Sequence, residues 1–167
     1  MTVEEYCDLA RREDVIEELH WGRLVELPFP KAWHIKLRQR FYDLLRERSG
    51  PNWEVIVELP FRAVPQFDLR GVNVGVVAKT RWDAALDQDY LHGSPEIVID
   101  ILPLNDDITE RAALFLATGT QQFCVVDRTR KIVRVTGLDS KTTAYGAGQE
   151  VPFPLLGASL KGDEIFG

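Results

Sequence analysis

Two short, almost wholly apolar runs constrain this chain most. Residues 96–102 read EIVIDIL and residues 121–127 read QQFCVVD. Between them, Ile108, Ala112, Phe115 and Leu116 recur at helical spacing, and Gly119 follows. Residues at that spacing line one face of a helix and a glycine ends it, so a helix is predicted over 106–118. Short runs that are apolar on both faces read as strands covered on both sides. A strand, a helix and a second such strand make a right-handed unit with its two strands parallel. The pair needs cover on each face of its sheet. The expected class is α/β, with a mixed central β-sheet flanked by helices.

The rest of the chain fits around that unit. Thr2 and Glu5 have the T-x-x-E form of a capping box, which predicts a short helix over 3–10. Residues 15–27 read as a hairpin turning at His20–Arg23, with Gly22 supplying the left-handed conformation and Pro28 and Pro30 stopping the second strand. Trp33, Leu37, Phe41, Leu44 and Leu45 form one apolar stripe of a long helix over 32–48, ended by Gly50 and Pro51. Two β segments are expected at 53–59 and 61–64, with Pro60 marking an edge or a bend. A polar loop at 65–71, a strand at 72–78 and a loop or short helix around Trp82 follow. After the second apolar strand, a turn at Arg128–Lys131 leads to a strand at 132–137, and 141–166 reads as small β segments and a final turn. With no internal repeat or linker, 1–167 is expected to be a single domain.

Composition excludes several classes. No apolar run approaches the roughly 20 residues needed to span a bilayer. The acidic start MTVEEYCDLARREDV does not read as a secretory leader. Cys7 and Cys124 lie far apart with no CxxC, so both are expected as buried free thiols of a cytoplasmic protein. His20, His34 and His92 are dispersed, which disfavours a zinc site. There is no G-x-S-x-G and no phosphate-binding glycine loop. The net charge of −6 opposes indiscriminate coating of nucleic acid. Residues 31–48 could still form a local basic face through Lys31, Lys36, Arg38, Arg40, Arg46 and Arg48, or simply a solvated helix face.

The residues that could carry chemistry are polar groups inside apolar strands. Asp100 sits in IVIDIL, and alternation puts it on the face of Val98 and Leu102, opposite Ile99 and Ile101. A carboxylate there is expensive to desolvate unless it is paired or holds a metal. Asn73 sits between Val72 and Val74 at the start of its strand. Oxygen ligands at adjacent strand ends can hold a magnesium ion that polarises a phosphate and activates water. Other readings stand beside these. Asp100 could be an edge residue or pair with Arg111, Asn73 could be a turn-entry residue, Arg111 could be a surface helix arginine, and His34 could be a polar residue at a helix start.

Taken in order, EELHWGRLVELP, His34, VNVGVV, SPEIVIDILP, ITERAALFLATG, QFCVVDRTRKIVRV and PLLGASLKGDEIF resemble the PD-(D/E)xK superfamily. More narrowly, they are similar to a large family of small bacterial endonuclease-like proteins. The resemblance covers nearly the whole chain. It implies a restriction-endonuclease-like fold, phosphodiester hydrolysis, a magnesium or manganese cofactor, DNA as partner and, by analogy, a homodimer. It also maps the site. Asn73 stands where the family has a metal-binding Asp, and Asp100 where it has Glu. Arg111 stands where it has a catalytic Lys, Glu18 matches a hairpin glutamate, and Asp107 matches an acidic residue before the lysine. Asn73 and Asp100 are thus the expected metal ligands, Arg111 and Glu18 complete the centre, and His34, Lys36 and Arg40 are the candidate substrate contacts.

The departures have physical consequences. Asn keeps an acceptor oxygen but loses the charge that magnesium favours. Asp reaches one methylene less far than Glu. Arg can clamp a phosphate but cannot take a proton. Together they imply impaired or lost catalysis; in a rescued site, Asp68, Glu58 or Glu96 would supply the replacement carboxylate. A non-catalytic module binding nucleic acid or protein is the alternative.

Overall fold

The computed structural model describes residues 1–10 and 12–167. A seven-stranded mixed sheet forms its centre, in the order β5-β3-β4-β6-β7-β8-β9. In chain order the elements are α1 (Val3–Cys7), β1 (Ile16–His20), β2 (Arg23–Leu27), α2 (Ala32–Ser49), β3 (Trp53–Arg62) and β4 (Arg70–Ala78). They continue with α3 (Lys79–Ala85), β5 (Leu91–His92), β6 (Ile97–Ile101), α4 (Ile108–Thr118), β7 (Gln122–Asp127) and β8 (Ile132–Gly137). The chain closes with β9 (Thr142–Gly146), β10 (Glu150–Phe153), a 3-10 turn, β11 (Ala158–Lys161) and α5 (Gly162–Phe166).

The apolar runs behave as their sequence demands. β6 is buried at every residue and pairs parallel with β7, Ile99 opposite Cys124. Alternation sends Ile97, Ile99 and Ile101 to the face covered by Leu37, Phe41 and Leu45 of α2 and by the β10–β11 hairpin. Val98 points to the other face, where Phe115 of α4 packs edge-on against Phe61 and Phe123. Burying these side chains supplies the main favourable free energy of the fold.

Several expectations change. The first helix has its capping box, with Thr2 and Glu5 each bonding the other's backbone, but it ends at Cys7 rather than at residue 10. The two β segments around Pro60 are one continuous strand, β3. Pro60 fits because β5 pairs with β3 only at Phe61 and Arg62, so most of that side of the strand is an edge. The apolar spacing turns Ile108 inward, yet it is 39% exposed. The inner face of α4 buries Phe115 as expected and adds Arg111. No helix among the described residues is long and apolar enough to cross a membrane.

The thiols differ from each other. Cys124 is buried, and burial pushes its pKa up to about 12. Cys7 is exposed, contrary to the expectation for both. A thiol-reactive dye at neutral pH is therefore expected to label one cysteine per native chain and two after denaturation. Two rapid labels on the native protein would contradict the packing of β7.

Candidate functional site

One end of the sheet gathers the charged residues. There β4 begins and its antiparallel neighbour β6 ends, with Val74 opposite Ile99. The β1–β2 hairpin docks on the same end through reciprocal backbone bonds between Leu19 and Leu69, 2.8 and 2.9 Å. The first turns of α2 and α4 complete the enclosure.

Asn73 sits just past the last pair of β4 with β6 and at an interruption in its ladder with β3, which resumes at Val72. The register that pairs Val57 with Val74 and Leu59 with Val72 skips Glu58 and Asn73. Glu58 there adopts a positive φ of 50°, a left-handed conformation costly for a residue with a Cβ. On the β6 side, the Asn73 Oδ1 accepts the Ile101 amide at 2.8 Å. The side chain thus takes up a backbone donor near the end of the ladder, a role that needs an acceptor but no charge.

Asp100 and Arg111 form the centre of a buried network. The Arg111 Nε donates to Asp100 Oδ2 at 2.7 Å, and Nη2 reaches Oδ1 at 3.4 Å. The same guanidinium donates to Asp106 Oδ2 at 2.8 Å and to the Gly71 carbonyl at 2.8 Å. Its Cζ lies 4.7 Å from the centre of the Phe115 ring. Asp100 is 1% exposed and Arg111 3%, so the surface readings of both are excluded. Burial pushes the Asp100 carboxyl above the usual carboxylate range, and the neighbouring guanidinium partly offsets this. Burial also works against the Arg111 charge, but Asp100 and Asp106 outweigh it and hold its pKa above the usual arginine value.

The network extends in two directions. Arg70 donates to Asp68 Oδ1 at 2.6 Å and reaches Asp106 Oδ2 at 3.4 Å. Glu18 Oε1 accepts the Gly71 amide at 2.9 Å, and Oε2 lies 2.6 Å from His20 Nε2. Gly71 thus links the hairpin glutamate to Arg111 through its two backbone groups.

The predicted residues separate into two groups. Glu18, Asn73, Asp100, Arg111 and His34 line one cleft of about 570 Å³. Lys36 is exposed and Arg40 donates to the Ile165 carbonyl at 2.9 Å; neither lines the cleft. The three replacement carboxylates are engaged elsewhere. Asp68 is fully buried against Arg70, with its Oδ2 unpartnered, and Glu58 pairs with Arg38 at the rim. Glu96 pairs with Arg81 and accepts the Ala78 amide, at the opposite end of β4. Asp107 caps α4 by accepting the Glu110 amide at 3.0 Å. His34 presents a buried Nδ1 with no hydrogen-bond partner, and burial pushes its pKa down.

Sequence reasoning missed Arg70 and Asp106. Arg70 had a signal, a lone cation at the head of the apolar strand that also carries Asn73. Asp106 had none, because nothing local distinguishes it from its neighbour Asp107. A second cavity, of about 520 Å³, lies against Arg70, Asn105, Asp106 and Arg111 as well, so this part of the network is shared by both cavities.

No family model matches the sequence, and no curated protein matches it. Among solved structures, the fold is similar to that of a candidate nuclease belonging to DUF820 from Anabaena variabilis ATCC 29413. The TM-score is 0.84 at 18% identity, over 99% of this chain and 97% of that one. At that identity the likeness is one of fold: an α/β architecture with a mixed central sheet flanked by helices.

Proposed function

We propose that this chain is a nuclease-fold protein in which metal-dependent phosphodiester hydrolysis has been replaced by a fixed ion-pair network, leaving a binding cleft. The observation that carries this reading is the Arg111 guanidinium, which engages both oxygens of Asp100. A divalent ion there would need those oxygens and a second charged ligand. Asn73 supplies no charge, and its oxygen is taken by Ile101. Among the described residues, no group of three or more His, Cys, Asp or Glu is arranged to hold a metal. The donor set therefore does not fit magnesium or manganese, and no step is assigned to either. Arg111 neutralises Asp100 permanently, as a guanidinium does not titrate in the accessible range.

The likeness to a nuclease fold makes DNA a plausible partner, and the charges of α2 weigh against it. Three arginines of α2 that could meet phosphates are engaged by other segments, Arg38 by Glu58, Arg48 by Glu164 and Arg40 by the Ile165 carbonyl, whereas Arg46 meets Tyr42 on the same helix and stays exposed. Calorimetric titration with millimolar manganese is expected to give no binding heat, and supercoiled plasmid with manganese is expected to stay uncut. One manganese bound per chain, together with nicking that an inactive-site variant lacks, would sink the reading.

A further inference from the structure

The cleft differs from a phosphate-binding groove in both charge and lining. Its side chains carry five carboxylates, Glu17, Glu18, Glu58, Asp100 and Asp106, against three cations, Lys31, Arg70 and Arg111. The ion partners behind the wall are Arg38 for Glu58 and Asp68 for Arg70, and including them leaves the excess unchanged. Arg128, which stacks on the Trp33 ring from outside the lining, reduces the surrounding excess to one carboxylate. Phosphate recognition needs the opposite balance.

Much of the remaining lining is apolar and aromatic. Phe29, 63% exposed, stands at the mouth with Pro28 and Pro30, and Trp33, Tyr6 and Tyr90 form further wall. The Trp33 ring already holds a cation, with the Arg128 Cζ 4.5 Å from its centre. Electron-rich rings beside an excess of carboxylate are the chemistry that selects organic cations. The volume of about 570 Å³ lies within the roughly 300–1,000 Å³ typical of small-molecule sites.

We infer that the cleft binds a small organic cation with an apolar body, its charged group drawn to the carboxylates and its body held among Phe29, Trp33 and the rim prolines. This rests on the metal-free binding reading above and names its ligand class. The site excludes phosphate-bearing strands by charge and selects against anions of the same shape.

Benzyltrimethylammonium is a suitable probe, with benzenesulfonate as its anionic counterpart and a short DNA duplex as a third ligand. Each is titrated by calorimetry against the full chain, with displacement of the cation followed by NMR. The ammonium is expected to bind at least about tenfold more tightly than the sulfonate, and salt should weaken it. Phe29→Ala is expected to weaken it roughly fivefold, by removing one aromatic wall without disturbing the buried core. Glu17→Gln should weaken it roughly threefold. Equal or tighter binding of the sulfonate, displacement by the duplex, or an unchanged affinity in Phe29→Ala would overturn the inference. Those results leave the manganese titration silent, so failure of the ligand assignment is distinct from failure of the metal-free reading.

Discussion

Arg111→Met is expected to be among the most damaging single substitutions in this protein. It leaves the Asp100 carboxylate buried on β6 with no cation, and removes donors from Asp106 and the Gly71 carbonyl. Breaking a buried ion pair from one side costs about 3–5 kcal/mol, mainly because the remaining charge is stranded. For a chain of this size, that lowers the melting temperature by roughly 10 °C or more. Asp100→Leu combined with Arg111→Met should recover at least half of the loss, because Asp100 lies on the same sheet face as Val98 and Phe115. The pH dependence follows from the direction of the Asp100 shift. Burial already raises its folded pKa, and without Arg111 nothing offsets that rise. A carboxyl whose folded pKa is raised favours folding below its unfolded value of about 3.9 and loses that contribution as pH rises through the folded value. Arg111→Met should therefore lie near the parent near pH 4 and fall away from it towards neutral pH. Chemical denaturation at several pH values checks this. A loss under about 1 kcal/mol at pH 7, with no pH trend, would mean the pair is not the buried anchor described.

The legible parts of this molecule were the local ones. The β6–α4–β7 unit and the face of Asp100 follow from periodicity, because burial imposes alternation on a strand residue by residue. The α2 stripe was legible for the same reason. What the sequence concealed depends on how distant segments meet. Ile108 and Arg111 share a helix, and a pattern that counts apolar residues turns Ile108 inward. The pairing of Arg111 with Asp100 and Asp106 turns the buried face of α4 partly towards Arg111 while keeping Phe115 inside, and no apolar count contains that ion pair. The basic content of α2 was visible, but its arginines are turned to Glu58, Glu164, Tyr42 and the Ile165 carbonyl, and three of these four acceptors lie far away in the chain. Asp106 was invisible for a similar reason. Its role comes from two guanidiniums, one on β4 and one on α4, converging on a loop.

Asn73→Asp combined with Arg111→Lys separates the metal site from the cleft around it. The introduced aspartate would still accept the Ile101 amide through one oxygen, and its second oxygen would bring the missing charge beside β6. The introduced lysine would keep a cation near Asp100 but release the two-pronged grip of the guanidinium. The double variant is expected to take up one manganese per chain, with a dissociation constant at or below about a millimolar, where the parent gives no heat. Arg111→Lys alone should stay silent, because Asn73 still contributes no charge. Uptake of metal is not expected to bring cleavage with it. A duplex would have to enter past a lining with an excess of carboxylate and seat its phosphates without the α2 arginines. Metal binding without nicking would mean that two changes are enough to create an ion site, whereas a path for a duplex needs more of the cleft to change. Vigorous nicking by the double variant would reverse that conclusion and return the cleft to nucleic acid.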